Sequence, residues 1–182
     1  MMTQKTVRRI EKMAQAHDLR DFKWIQPRSI ITGHWIRAKC LYGCSRYGQK
    51  ACCPPEVPSV AECTNFFREY KSGLFFHFAK KFKKPEMRFS WYRDLNRRVL
   101  DLEKEVFLSG FYKAFALPPA TCSLCNRCQE SKRECRQPLL SRPTLEAFCV
   151  DVYATAWKMG YPIQVLKDYG EEMNRFGLLL IE

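Results

Sequence analysis

Apolar residues recur three or four positions apart in several parts of the chain, with charged residues between them. This pattern predicts an amphipathic helix at residues 6–17, and another that carries apolar positions 95, 99, 102 and 106. The sequence Ser59-Val-Ala-Glu62 is a capping box that predicts a helix to about residue 71. A fourth helix is predicted to begin near residue 141 and to end before Gly160.

Short runs of apolar and aromatic residues between turn signals predict strands. They lie at residues 21–25, 29–36, 73–79, 111–117, 163–166 and 176–181. The length and aromatic content of the run at 73–79 indicate a buried strand, in which His77 is interpreted as a hydrogen-bonded core or edge residue. Together the elements predict an α+β, α/β-like fold with a single mixed sheet and flanking helices. We expect one metal-binding domain over residues 1–182.

The most informative stretch is a cluster of cysteines in the second half of the chain. Cys122, Cys125 and Cys128 are separated by two residues each, and Cys135 follows close to a proline. Thiolates spaced in this way can bind three corners of a 4Fe-4S cluster, while a more distant cysteine binds the fourth. A structural zinc site with four thiolates is the alternative, although the close third cysteine favours the cluster. A loop without metal is the least favoured interpretation.

A second group of cysteines lies earlier in the chain. Its candidate ligands are Cys40, Cys44 and Cys53. Cys52 is the reserve, because the side chains of adjacent residues diverge and rarely bind the same metal. No fourth ligand is nearby, so either a distant cysteine completes the site or one iron stays open. The distant candidates are Cys63, Cys135 and Cys149, of which Cys149 is a reserve ligand. A structural zinc loop is the alternative for this group.

Each cysteine-rich loop, at about residues 37–58 and 118–141, is predicted to follow a strand and to precede a helix. If the sheet is largely parallel there, both loops leave it at the same edge, where α/β folds usually bind ligands. Each metal site would then lie near a helix N-terminus, whose dipole favours a negatively charged cluster. Two clusters at one edge would form an electron relay.

Composition adds a prediction about the cellular compartment, because ten of the 182 residues are cysteines. Most of them lie in the two loops, and the charged N-terminal segment shows no signal-peptide pattern. This usage is typical of metal ligation in a reducing cytosol rather than of a secreted disulfide scaffold. The longest apolar runs are too short to span a bilayer, so we expect a cytoplasmic protein with no membrane association.

The formal net charge of +12, with an isoelectric point near 9.3, predicts an anionic partner or substrate. Basic residues are densest between positions 80 and 98, where aromatic residues are interleaved with them. The solvated face of a helix is the first interpretation of this region, and a docking surface for an acidic redox partner is the second. A nucleic-acid site is less favoured. Metal-bound thiolates would add negative charge that the formal count omits.

Several motifs occur in a fixed order along the chain. They are Cys40-x3-Cys44-x2-Tyr47-Gly48, Cys53-Pro54-Pro55, Cys122-x2-Cys125-x2-Cys128, Cys135, Arg142-Pro143-x2-Glu146-Ala147 and Asp151-Val152. In this order they resemble an uncharacterised family of small, cysteine-rich "predicted metal-binding" proteins. The resemblance implies that the seven cysteines of these motifs bind metal as iron–sulfur, and such families are typical of anaerobes. The chain departs from the pattern at Cys149 and in the doubled Cys52-Cys53.

The sequence as a whole favours an iron–sulfur protein with one or two 4Fe-4S clusters. Its predicted role is electron transfer, or that of an accessory or activating subunit of a redox enzyme. Arg46, Lys50 and Arg127 near the loops would favour a reduced, more negative cluster. The alternatives are a zinc-stabilised nucleic-acid-binding module and a catalytic cluster protein with an open iron site. No Ser/His/Asp set, Walker loop or dinucleotide fingerprint supports hydrolase or nucleotide chemistry, and enzymatic activity stays undecided.

Overall fold

The structure, a computed structural model, describes residues 2–168 and 170–182 and is built around one four-stranded sheet. Its strands are β1 (Phe22–Ile25), β2 (Gly73–Lys80), β3 (Phe115–Leu117) and β4 (Met173–Leu180), in the order β1-β2-β4-β3. Each neighbouring pair of strands is antiparallel, and β2 and β4 form the long central pair. The prediction of an α+β fold with a single sheet and flanking helices is confirmed. The mixed pairing that we predicted is wrong, because all strand pairs run antiparallel.

Helices flank this sheet on both faces. Those in the described part of the chain are α1 (Gln4–Ala16), α2 (His34–Gly43), α3 (Val60–Arg68), α4 (Arg88–Leu108) and α5 (Val152–Lys158). Short 3-10 turns occur at Pro27–Ser29 and Pro85–Met87. The predicted capping box starts α3: the Ser59 hydroxyl accepts from the Glu62 amide, and the Glu62 carboxylate accepts from the Ser59 amide at 2.8 Å. None of these helices is long and apolar enough to cross a bilayer.

The sheet separates two apolar layers. Leu74 and Phe76 of β2 point to one face, where they pack with α1 and α4. Phe75 points to the opposite face and packs in a second cluster that includes Phe67 of α3. Leu74, Phe75 and Phe76 are all fully buried, because successive side chains of a strand point to opposite faces and both faces of this sheet are covered. This confirms the buried strand that the aromatic run predicted.

Residues 29–36, predicted as a strand, instead form part of a 3-10 turn, an isolated bridge and the start of α2. The Asp151 amide donates to the Ile31 carbonyl at 2.7 Å, and the Gly33 amide donates to the Cys149 carbonyl at 2.9 Å. The segment therefore pairs with a loop that is remote in sequence and not with the sheet. Apolar content alone does not distinguish these two partners.

The helix predicted to begin near residue 141 begins only at Val152, as α5. Cys149, which we predicted inside this helix, has a φ of 59°, in the left-handed region that interrupts a right-handed helix. Asp151 then caps α5 by accepting from the Ala154 amide at 2.9 Å. The predicted end before Gly160 is confirmed, since α5 ends at Lys158.

Among the strand predictions, those at 21–25, 73–79 and 176–181 are confirmed as β1, β2 and β4. The predicted strand at 111–117 is shortened to β3. Residues 163–166 form no strand, and the Ile163 carbonyl instead accepts from the Trp157 indole at 3.1 Å. His77 has the predicted hydrogen-bonded role, with its two ring nitrogens each 2.7 Å from oxygens of Asp21 and Asn174.

Candidate metal centre

The first cysteine-rich loop starts inside α2 and folds back on itself. Cys40 lies in the last turn of α2, and Cys44 is the C-cap residue of the helix. The Gly48 amide donates to the Pro54 carbonyl at 3.1 Å. The φ angle of Gly48 is 74°, a value that glycine adopts without strain. This contact closes the loop and returns Cys53 towards the end of α2. The prediction that the loop follows a strand is wrong, because a helix precedes it.

Cys40, Cys44 and Cys53 line a single cavity of about 200 Å³. Lys50 and Glu146 line the same cavity, whereas Cys52 is not among its lining residues. The structure therefore brings together the three thiols that we predicted for the first group. It also turns the adjacent Cys52 away, as expected for side chains of successive residues.

Cys52 contacts the second group of cysteines instead. Its side chain is buried and lies beside the thiol of Cys122. The interaction with Cys122 lowers the pKa of Cys52, but the interaction with Cys53 and burial outweigh it and raise the pKa to about 12. Cys128 is close enough to raise it further by charge repulsion. In space, Cys52 therefore belongs with Cys122 and Cys128.

These contacts make a chain of three thiols between the two groups. The interaction with Cys52, together with burial, raises the pKa of Cys122. The interaction with Cys52 lowers the pKa of Cys53. The positive charge of Lys50 acts to lower the pKa of both Cys53 and Cys122, so Lys50 lies beside both groups of cysteines. The two groups of cysteines are thus direct neighbours.

The second cysteine-rich loop is fixed to α4 at both ends. At its start, the Asn96 amide donates to the Ala120 carbonyl at 3.0 Å and accepts from the Ala120 amide at 3.1 Å. At its end, the Glu103 carboxylate accepts from Arg142 Nε at 2.8 Å, and it also accepts from the Ala116 amide of β3 at 3.0 Å. Asn96 and Glu103 are both buried. These bonds hold the loop that carries Cys122 against the helix.

Sequence reasoning missed Asn96 and Glu103. They are seven residues apart on α4, so they lie on the same side of the helix, next to the apolar positions 95, 99, 102 and 106. Polar residues at helical spacing beside an apolar stripe are the signal for this role, since buried polar groups are nearly always hydrogen-bonded.

A direct contact joins the two cysteine-rich loops. The Glu56 carboxylate of the first loop accepts from the Lys132 amide of the second at 2.8 Å. In the second loop, Cys125 lines a cavity together with Cys122. The thiol of Cys135 donates to the Ser141 hydroxyl at 3.5 Å. Cys52, which lies beside Cys122 and Cys128, is therefore a second candidate for the fourth donor of the second group, alongside Cys135.

The reserve ligand Cys149 lies in a third arrangement. Its sulfur accepts from Arg37 Nη2 at 3.0 Å, and the thiol of Cys63, which donates to the Pro58 carbonyl at 3.5 Å, lies beside it. The interaction with Cys63, followed by the hydrogen bond from Arg37, lowers the pKa of Cys149. The interaction with Cys149, followed by burial, raises the pKa of Cys63, whose side chain is completely buried. Cys40 is near enough to interact electrostatically with Cys149.

Residues 23–181 match the family described as "Predicted metal-binding protein (DUF2284)". The chain belongs to this family. All ten cysteines of the DUF2284 protein lie within the matched region, as do both cysteine-rich loops. No curated protein and no solved structure matches the chain significantly. Family membership therefore supports metal binding as the general property of this chain.

The donor set of the DUF2284 protein fits a thiolate-bound metal. All ten cysteines are free thiols, and each of the two loops contributes four of them. Thiolates are soft ligands that suit zinc and iron–sulfur clusters. Across residues 2–168 and 170–182, no three His, Cys, Asp or Glu side chains are already arranged to hold a metal ion. Metal binding would therefore require neighbouring thiols to draw together.

Proposed function

We propose that the two neighbouring thiol groups hold iron–sulfur clusters of the 4Fe-4S type, and that the protein serves in electron transfer. It would act as an electron carrier or as an accessory or activating subunit of a redox enzyme. The observation that supports this most strongly is that the two groups are direct neighbours: Cys53 lines the first cavity, the adjacent Cys52 lies beside Cys122, and Glu56 and Lys132 bond the two loops together.

The choice of iron–sulfur over zinc rests on how the thiols are distributed. Three closely spaced cysteines in the second loop match the ligand spacing of a cubane, and the first cavity gathers three more. A cluster bound in this way would supply reversible one-electron chemistry. The chain contributes the positive charge of Lys50 beside both thiol groups, which favours the reduced, more negative state.

The proposed partner is an acidic redox protein that meets this chain in the reducing cytoplasm. The net charge of +12 supports it, as do the exposed side chains of Arg93 and Arg97 on α4. Complementary charge mainly speeds association, so binding to such a partner should weaken as ionic strength rises.

Reversible reduction of the anaerobically isolated protein tests this proposal. Dithionite should bleach a visible absorption band, and anaerobic reoxidation with ferricyanide should restore it. The Cys122→Ser variant should lose part of this absorption. The Cys63→Ala variant, which removes a buried thiol outside both groups, should keep it. A colourless protein that carries only zinc would overturn the proposal and make binding of RNA or DNA the next experiment.

A further inference from the structure

A cleft between α4, β4 and the two cysteine-rich loops is lined by four basic side chains. Its volume is about 440 Å³, in the size range of small-molecule sites. Arg46 and Lys50 belong to the first loop, Arg93 to α4 and Arg175 to β4. No Asp or Glu is among the described residues that line it. The cleft is therefore a concave, strongly positive site.

Within the described part of the chain, no carboxylate forms an ion pair with the basic residues of the cleft. In residues 2–168 and 170–182, neither Arg46, Lys50 nor Arg93 forms an ion pair. The neighbouring arginines of α4 differ in this respect, since Arg97 pairs with an aspartate at 3.7 Å and Arg98 with another at 2.7 Å. Unpaired cations in a concave site raise the local concentration of anions.

Arg175 is held in place before any ligand binds. Its Nη2 and Nε donate to the Tyr92 hydroxyl at 2.8 and 3.2 Å. Its guanidinium also lies over the Tyr92 ring, 4.8 Å from the centroid. A cation that is already ordered loses less conformational freedom when it binds a ligand. Thr121, Ser123 and Asn126 also line the cleft, and their side chains can donate hydrogen bonds.

We propose that this cleft binds a small, multiply charged oxyanion, bearing phosphate or carboxylate groups, next to Cys122 and Cys125. Guanidinium groups suit such ligands because they donate paired hydrogen bonds to two oxygens of one group. Four cations around one cleft exceed what a single negative charge requires. This inference goes beyond electron transfer, and it stands on the basic residues whichever metal the thiols hold.

Neutralising the metal-bound thiolates is the competing role for these cations. Lys50 fills that role, since it lowers the pKa of Cys53 and of Cys122. Arg93 comes from α4 and lines the cleft, but it is not among the described residues that line the cavity of Cys40, Cys44 and Cys53. Arg93 therefore distinguishes an anion site from simple compensation of the thiolate charge of the first group.

Isothermal titration calorimetry tests the inference. The metal-containing protein is titrated with inorganic phosphate at low ionic strength. Saturable binding is expected, and Arg93→Gln should weaken it on the order of tenfold, as for the loss of a charged hydrogen bond. Arg46→Gln, on another side of the cleft, should weaken it too. Lys104→Gln removes the same charge from an exposed position of α4 outside the cleft and should leave the affinity near that of the wild type.

Two results would overturn the inference. One is the absence of saturable phosphate binding by the wild-type protein. The other is an equal loss of affinity in Arg93→Gln and Lys104→Gln, which would mean that phosphate responds only to net charge. A parallel titration with succinate separates the two ligand classes, since tighter binding of phosphate points to a phosphate ester and tighter binding of succinate to a carboxylate.

Discussion

At the scale of single residues, the adjacent cysteines Cys52 and Cys53 connect the two thiol groups. Their side chains diverge, so Cys53 lines the first cavity while Cys52 lies beside Cys122. The same geometric rule allowed the sequence to predict that only one of them joins the first group. The rule did not predict which residue Cys52 contacts, because Cys122 is remote in sequence and only the folded chain brings the two thiols together.

Two residues, Cys52 and Cys135, are candidates for the fourth donor of the second group, and substituting each of them distinguishes the two possibilities. Cys52→Ser should lower the metal affinity of that group more than about tenfold, because a thiolate ligand is lost. Cys135→Ser should have a smaller effect, since its thiol is bonded to Ser141. Competition with a chelator, followed through metal content, measures both affinities. The opposite ranking would return the role of fourth ligand to Cys135.

At the scale of elements, α4 shows what a local pattern can and cannot predict. Its apolar stripe predicted a helix with one inward face, and Leu95, Val99 and Leu102 are indeed buried. The anchoring of the second cysteine-rich loop by Asn96 and Glu103 was not predicted. Those bonds run to backbone groups beyond the helix, so they depend on tertiary structure.

Removal of the Asn96 anchor should destabilise the protein and loosen the second loop. Asn96→Ala leaves the buried amide and carbonyl of Ala120 without their partner, at a cost of about 2–4 kcal/mol in the free energy of unfolding. Arg97→Ala is the matched control: its pair with Asp101 is exposed, so we expect a change within about 0.5 kcal/mol. Anaerobic urea unfolding measures both variants. Equal losses would contradict a structural role for Asn96.

Other elements show the same difference: features with a local sequence signal were predicted, and features that depend on residues far along the chain were not. The capping box of α3 is local, and it was predicted correctly. Residues 29–36 were predicted wrongly because their backbone pairs with residues 149–151, far along the chain. The late start of α5 has a local cause in the left-handed conformation of Cys149, which a non-glycine residue rarely adopts and which the sequence does not signal.

At the scale of the whole molecule, the two cysteine-rich loops meet for a different reason from the one predicted. We expected parallel strands to deliver both loops to one edge, but the strands are antiparallel. The loops instead meet through the Glu56–Lys132 bond and the Cys52–Cys122 contact, with Lys50 beside both groups. Strand pairing and loop contacts of this kind depend on residues that are distant in sequence, so neither could be read from local patterns.

The most direct test of the two-cluster account is the amount of iron, zinc and acid-labile sulfide per chain after anaerobic isolation. Two 4Fe-4S clusters predict equal amounts of iron and sulfide, about eight of each, with little zinc. About four of each would place a cluster in only one of the two thiol groups. Zinc without sulfide would contradict the account.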